Sequence, residues 1–421
     1  MPVRSMQKEE DTEKRSPLVR NYILNISDGS FFNLAMGMVP LNTVLTYFIS
    51  DFVSQKWLIG LLSFLNILLM FSPQILVSKK LEKLRLYKPF LLKNALALRL
   101  MWLLLGLDVL LFARSNPVLF VVLFYLFYSL IGLFSAFTNI TWLNFIVKII
   151  PNEYRGRFMG IRSTISGVFE SMGALLMGVV IHKFSYPVNY GVLFLIVFSL
   201  TMISIWIVSL SVEEESEKGL NADNRENYWN RMVGVIKSDT NFSWYLITVA
   251  LIGGFGKMAF AFHILFAKEK LGIIGQQVAY ATFILLISQS VGYLLWGLIG
   301  DKYGFKITLE LSAVIFLPAL LLTYLMSDIL VFYISMGLFG LAQSARNVNE
   351  NNLALNLCQE SENQPLYIGL RNFLMGPLFA LNPVFAGLIF DFLGLDFLFA
   401  SSTIFILAGL IIMLRRVREY K

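Results

Sequence analysis

The sequence predicts an all-α membrane protein whose twelve transmembrane helices form two six-helix lobes related by an internal repeat. Composition is the first reason: 57% of the 421 residues are hydrophobic and 14% are charged, whereas a soluble domain has about 25% charged residues. One buried core cannot hide so much apolar surface, so we expect it to face lipid. The second reason is a spaced pattern that occurs twice.

The two copies of this pattern lie in residues 154–182 and 363–391. They share a Gly-x-Arg triplet and two later glycines, each displaced by 209 positions: Gly160, Arg162, Gly167 and Gly178 in the first copy, and Gly369, Arg371, Gly376 and Gly387 in the second. A repeat at half the chain length, inside apolar segments, predicts two lobes with a site between them.

Apolar runs long enough to cross a bilayer, about 18–20 residues, occur twelve times. They cover residues 22–48, 57–78, 90–113, 117–149, 158–182, 188–210, 242–267, 276–300, 307–327, 329–357, 366–390 and 395–414. Pro40 in span 1 and the Gly253-Gly254-x-Gly256 stretch in span 7 fit either static packing or a bend that moves, because neighbouring helices can satisfy freed backbone groups.

The composition changes sharply once, where Glu213-Glu214-Glu215 opens a hydrophilic stretch. This change predicts the domain organisation: a cytoplasmic tail at 1–20, an N-terminal lobe at 21–211, a cytoplasmic linker at 212–240, a C-terminal lobe at 241–415 and a second cytoplasmic tail at 416–421. The linker is interpreted as a connector, with a regulatory role as the alternative.

Lysine and arginine set the predicted orientation. With twelve spans, the termini and the loops after spans 2, 4, 6, 8 and 10 hold 22 of these residues outside the spans, and the opposite side holds 5. Loops rich in lysine and arginine remain in the cytoplasm, so both termini are expected there. The expected location is the plasma membrane, which in a bacterium is the cell inner membrane. The same bias explains most of the +7 net charge, so no nucleic-acid partner is expected.

No catalytic or metal site is predicted. Cys358 is the single cysteine, and His182 and His263 stand apart from any metal-ligand spacing. No glycine loop for phosphate occurs, so neither a cofactor nor ATP-driven transport is indicated. We therefore do not expect an enzyme.

One loop resembles a family motif. The segment Gly297-Leu-Ile-Gly300-Asp301-Lys302-Tyr303-Gly304-Phe305-Lys306 follows span 8 and is similar to the Gly-x-x-x-Asp-Arg/Lys-x-Gly-Arg/Lys-Arg/Lys loop of the major facilitator superfamily. Residues 151–157 resemble the Pro-Glu-x-x-Arg-Gly loops of that family, whereas residues 78–85, after span 2, lack its glycines. The resemblance implies a transporter with a gating role for Gly297, Asp301 and Gly304.

Polar residues inside the spans are the candidate site, because a charge near the bilayer centre costs roughly 2.5–3.5 kcal/mol and needs a partner or water. In span 10, Gln343, Arg346, Asn347 and Glu350 share one helical face. The superfamily lines its central cavity with spans 1, 4, 7 and 10. The resulting substrate-binding set is Asn25, Asn139, Lys257, Gln343, Arg346, Asn349 and Glu350.

The intramembrane charges have functional or structural interpretations. Arg346 and Glu350 are four residues apart and can neutralise each other. The repeat-related Arg162 and Arg371 are assigned to gating, where they would tie helix ends to carbonyls or carboxylates. Asp28 and Glu170 are candidate proton-coupling acids, with a fixed ion pair as the alternative for Asp28.

Three functions follow from the sequence. The first is a monomeric secondary transporter for proton-coupled efflux of amphiphilic compounds. The second is uptake of a polar metabolite, a sugar or an organic anion, coupled to a proton or another ion. The third is a membrane sensor or lipid-handling protein on the same scaffold. Antiporters of the superfamily typically have a glycine-proline pair in span 5, but here Gly167 is followed by Val168. This difference weakens the efflux hypothesis.

Overall fold

The computed structural model describes residues 2–71, 73, 77, 80–81, 83–215, 234–236, 238–358 and 364–419. Every regular element in these residues is helical. The helices are α1 (Pro2–Met38), α2 (Thr46–Ile49), α3 (Lys56–Phe71), α4 (Lys88–Phe112), α5 (Pro117–Ile149), α6 (Asn152–Lys183), α7 (Val188–Ser209), α8 (Thr240–Val249), α9 (Met258–Leu271), α10 (Gly275–Tyr303), α11 (Phe305–Leu325), α12 (Ile329–Leu357) and α13 (Gln364–Arg416).

Among the described residues, ten helices are long and apolar enough to cross a membrane, and Lys56–Met70 is a shorter apolar helix. The count differs from twelve for two reasons. Predicted span 2 runs into residues outside the described ranges. Predicted spans 11 and 12 form the 53-residue α13, which is interrupted at Gly394 (φ 84°, ψ 173°), so a single glycine makes the turn between them.

Predicted spans 1 and 7 are each interrupted by a π-helical turn. The first turn is Leu41–Leu45, after Pro40, and the second is Ala250–Gly254, followed by a 3₁₀ turn at Phe255–Lys257. Their displacement is 209 residues, the offset of the glycine pattern. The internal repeat is therefore present in backbone geometry as well as in sequence.

The chain packs into two compact units. Unit 1 contains residues 1–38 and 69–221, and unit 2 contains residues 39–68 and 222–421. In unit 1, α1 packs against α6 and α7; in unit 2, α12 packs against α10 and α11. The segment 39–68 lies in the predicted N-terminal lobe but packs in unit 2, so these packing units differ from the predicted lobes at this segment.

Glycines allow the close approach of α1 and α6 in unit 1. A Cβ at Gly37 would clash with the Glu170 carbonyl, and one at Gly173 would clash with the Leu34 carbonyl. Small residues are the usual means by which membrane helices approach at backbone distance. Large apolar side chains such as Val118, Trp206 and Phe392 are more than 60% exposed on the helices, as expected of surfaces that face lipid.

Two glutamates hold the starts of helices at corresponding places in the two units. In unit 1, Glu213 accepts hydrogen bonds from the Tyr87 and Lys88 amides (2.8 and 2.7 Å) at the start of α4. In unit 2, Glu419 accepts from the Phe305 and Lys306 amides (both 2.9 Å) at the start of α11. A carboxylate suits this position because the first helical amides are unpaired and carry positive potential.

Candidate functional site

Unit 2 contains a cavity of about 680 Å³ lined by both π-helical turns and by α10, α12 and α13. The span-10 residues predicted to share a face, Gln343, Arg346, Asn347 and Glu350, all line it. Lys257, Arg371 and Asn382 line it as well. Of the predicted substrate-binding residues, the structure therefore brings together Lys257, Gln343, Arg346 and Glu350.

A cluster of charges lies in the wall of this cavity. The Arg346 guanidinium pairs with one carboxylate oxygen of Glu350, and the Arg371 guanidinium pairs with the other. All three residues are more than 90% buried. Among the described lining residues, the cations are Lys257, Arg346 and Arg371, and the acid is Glu350. The cavity wall thus has an excess of positive charge.

Several donors of the cluster remain unused. Within the described parts of the chain, Nε of Arg346 and Nε of Arg371 are buried without a hydrogen-bond partner. The Lys257 side chain is half-buried and, over the same residues, has neither a hydrogen bond nor an ion pair. Buried polar groups are normally hydrogen-bonded, so these donors are available to a ligand.

The fold holds the two arginines in place. Gly253, in the second π-helical turn, leaves the space that the Arg346 guanidinium fills, because a Cβ there would clash with it. Arg371 donates to the side-chain oxygens of Asn351 (2.9 Å) and Asn372 (3.0 Å). The Asn382 amide donates to the Gly254 carbonyl (2.8 Å), which satisfies a backbone group that the interrupted helix frees.

Asn349 and Asn25 lie away from the described cavities. Asn349 is fully buried and donates to the Trp296 carbonyl (3.0 Å) and the Thr308 hydroxyl (2.9 Å). In unit 1, the amide of Asn25, which is also fully buried, donates to the Asn21 carbonyl (2.8 Å) and the Ser211 hydroxyl (3.1 Å). In this structure Asn349 ties α12 to α10 and α11, and Asn25 ties α1 to the residues that follow α7.

Unit 1 has a smaller cavity of about 240 Å³, lined by residues that include Asp28, Arg99, Asn139, Trp142 and Arg162. Asp28 accepts a hydrogen bond from Ser204 (2.6 Å) and lies 3.5 Å from the Arg162 guanidinium. Arg162 also donates to the Asn25 carbonyl (3.1 Å) and stacks over the Trp142 ring at 4.2 Å. Asp28 is therefore a paired acid in this structure.

Glu170, the other candidate acid, is half-buried in α6. Its side chain has no hydrogen bond or ion pair to any residue that the structure describes. An intramembrane acid without a cation is energetically costly in its charged form. Glu170 therefore differs from Asp28, which has both an ion pair and a hydrogen bond.

The motif loop between α10 and α11 makes a tight turn at Gly304, whose φ is +105°. A Cβ at Gly304 would approach the Glu419 carboxylate at 2.6 Å, so this glycine serves both the turn and the contact with Glu419. Asp301 is exposed, and Gly297 has open space beside it. In the described part of unit 2, Asp301 has no ion pair.

Sequence reasoning missed Arg99, which is 4% exposed inside α4 and donates to the Thr201 and Ala95 carbonyls (3.2 and 3.1 Å). A charge inside an apolar span was the available signal. It also missed a group of ion pairs in unit 2: Lys268 with Asp51, and Lys56 with Glu269 at 2.8 Å. These pairs join residues more than 200 positions apart, which periodicity does not detect.

The family model of the Major Facilitator Superfamily matches residues 22–273 and 256–421. No curated protein sequence matches. Solved structures match across nearly the whole chain, at identities that show similarity of fold alone.

Three such structures are transporters. The nucleoside transporter NupG, as a mutant, has a TM-score of 0.73 at 12% identity, covering 94% of this chain and 100% of its own. The D-xylose–proton symporter has a TM-score of 0.71 at 10% identity, with 95% and 98% covered. An inward-facing, unoccupied bacterial homologue of the human lysosomal transporter Spinster has a TM-score of 0.65 at 13% identity, with 95% of each chain covered. Because the family model matches almost the full length of this chain, the chain belongs to the Major Facilitator Superfamily.

Proposed function

We propose that the chain is a secondary active transporter that moves a small organic anion across the membrane by alternating access. The charge of the unit 2 cavity carries this proposal, since Lys257, Arg346 and Arg371 face one carboxylate, that of Glu350. A buried charge without a partner is strongly unfavourable. An anionic solute would pair with this excess, which supports the organic-anion hypothesis over efflux of amphiphiles.

The remaining lining also supports a polar solute. Gln343, Asn347 and Asn382 present amide groups to the cavity, and Oδ1 of Asn382 has no hydrogen-bond partner among the described residues. A site built from hydrogen-bonding groups disfavours a ligand that cannot pair with them, because those groups then stay desolvated and unpaired. A largely apolar substrate would leave Oδ1 of Asn382 unpaired.

A proton gradient is the proposed driving force. Asp28 and Glu170 are the candidate coupling acids, and they differ in partners: Arg162 and Ser204 contact Asp28, whereas Glu170 has no described partner. An acid that is uncompensated by a cation has the stronger tendency to take up a proton within the membrane. Glu170 is therefore the preferred proton carrier, and Asp28 a member of a fixed ion pair.

Transport by purified protein in proteoliposomes tests the proposal. The panel contains carboxylates, phosphate esters, neutral sugars and a lipophilic cation, each offered under an inward or outward proton gradient. We expect gradient-dependent movement of at least one anion, and its loss in Arg346→Ala. Arg415→Ala, which removes an exposed arginine, is the matched control and should transport normally. Transport of the lipophilic cation without transport of any anion would contradict the proposal.

A further inference from the structure

The charge cluster of unit 2 is arranged around one carboxylate that bridges two arginines. Each oxygen of Glu350 pairs with a different guanidinium, Arg346 on the same helix and Arg371 on α13. Carboxylate and guanidinium groups match in geometry and charge. Any carboxylate placed between these arginines would therefore find the same partners that Glu350 has.

The partners on either side of Glu350 are fixed. The side-chain oxygens of Asn351 and Asn372 hold Arg371, and the space at Gly253 holds Arg346. The backbone of Glu350 is fixed too, since the Tyr245 hydroxyl donates to its carbonyl at 2.6 Å. With these groups held, the Glu350 carboxylate can leave the two arginines by rotation of its own side chain.

Lys257 offers Glu350 another partner. It lines the same cavity as Glu350, and within the residues described it has no ion pair or hydrogen bond. A purely structural ion pair would not need a third cation, because each further buried charge adds a desolvation cost. The unused Nε groups of both arginines likewise exceed what Glu350 requires.

Building on the proposed function, we infer that the transported anion carries a carboxylate group and that Glu350 is its internal competitor. The substrate carboxylate takes the place of Glu350 between Arg346 and Arg371, and Glu350 turns to Lys257. Every buried charge has a partner before and after the exchange, apart from Lys257 in the empty state. Glu350 thus lowers the affinity of the empty site and assists release.

Binding to wild-type protein and to Glu350→Gln tests this inference, with acetate, lactate, succinate and citrate as probes and their neutral amides as controls. The amide side chain keeps the shape of Glu350 but removes the competing charge. Charge-assisted hydrogen bonds to the arginines then become available to the probe, so the Kd of at least one carboxylate should fall about tenfold. The amides should bind no better, and carboxylate exchange across proteoliposomes should slow.

Two glycine variants test whether the position of the Arg346 guanidinium determines carboxylate binding. Gly253→Ala should displace the Arg346 guanidinium and weaken carboxylate binding, whereas Gly337→Ala, on α12 with only ordinary contacts around its new methyl group, should bind like the wild type. If Glu350→Gln does not fold, Glu350→Asp serves instead, because the shorter carboxylate cannot bridge both arginines and should also tighten binding.

The outcomes separate the inference from the proposed function. Unchanged or weaker carboxylate binding in the folded Glu350 variant overturns the displacement, even where the wild type transports anions. Transport of phosphate esters with no binding of any carboxylate overturns the carboxylate assignment alone. Absence of anion transport altogether overturns the proposed function itself.

Discussion

At the residue scale, the charges of span 10 could be found from sequence, but a pairing could be predicted only where both partners lie on one helix. Span 10 places Arg346 and Glu350 one helical turn apart, so their pairing follows from the spacing. Arg371 joins the same carboxylate from α13, 21 positions away, and only the packing of two helices brings it there. The partners of Asn349 could not be predicted either, because its place in a wide polar arc did not determine which neighbouring helix it would face.

Proton coupling is predicted at this scale. Glu170→Gln should abolish accumulation of substrate against its gradient while leaving exchange down the gradient, since the residue that loads the proton is gone. Asp28→Asn should instead leave Arg162 without its carboxylate, which lowers thermal stability and transport together. Substrate accumulation and exchange in proteoliposomes, with thermal melting of each variant, measure the difference. Full pH-dependent accumulation in Glu170→Gln would exclude Glu170 as the coupling acid.

At the element scale, helix positions follow from hydropathy because spanning a bilayer fixes a minimum length. The breaks within spans 1 and 7 do not follow, since a π-helical turn changes hydrogen-bond register without changing composition. Glycines at 253, 254 and 256 mark the second break, but glycine alone does not distinguish a close helix contact from a change of register. The caps from Glu213 and Glu419 were also missed, because both residues lie in segments assigned to a linker and a tail.

These caps predict a stability effect. Glu213→Ala and Glu419→Ala should each destabilise the protein by about 1–2 kcal/mol, since each removes two charge-assisted hydrogen bonds from the first turn of a helix. Glu214→Ala is the control, because Glu214 is exposed next to Glu213. Thermal melting in detergent measures all three. Equal melting temperatures for Glu213→Ala and Glu214→Ala would show that the cap contributes nothing in unit 1.

At the scale of the whole molecule, the repeat and the composition were sufficient to predict a helical membrane protein, and the superfamily was predicted from the resemblance of the loop at residues 297–306 to its motif. They could not predict that residues 39–68 pack in unit 2, because the contacts of that segment are long-range, such as the hydrogen bond from Tyr47 to the Ile273 carbonyl (2.9 Å). Orientation in the membrane remains a prediction from the 22-to-5 distribution of lysine and arginine.

The orientation predicts which segments face outside. In a Cys358→Ser background, a cysteine introduced at position 269 should react with an impermeant reagent applied to intact cells, and one at position 222 should react only after lysis. The physical reason is the retention of positively charged loops in the cytoplasm. Labelling at 222 in intact cells, with none at 269, would reverse the topology.

The matched positions of the two π-helical turns also bear on the history of the chain. Each such turn inserts one residue into a helix, and the two insertions are separated by 209 positions, the offset of the glycine pattern. Two separate insertions at equivalent places would require a coincidence, whereas duplication of one segment copies the turn along with the glycines. If the repeat arose by duplication, the widened turn is therefore older than the duplication.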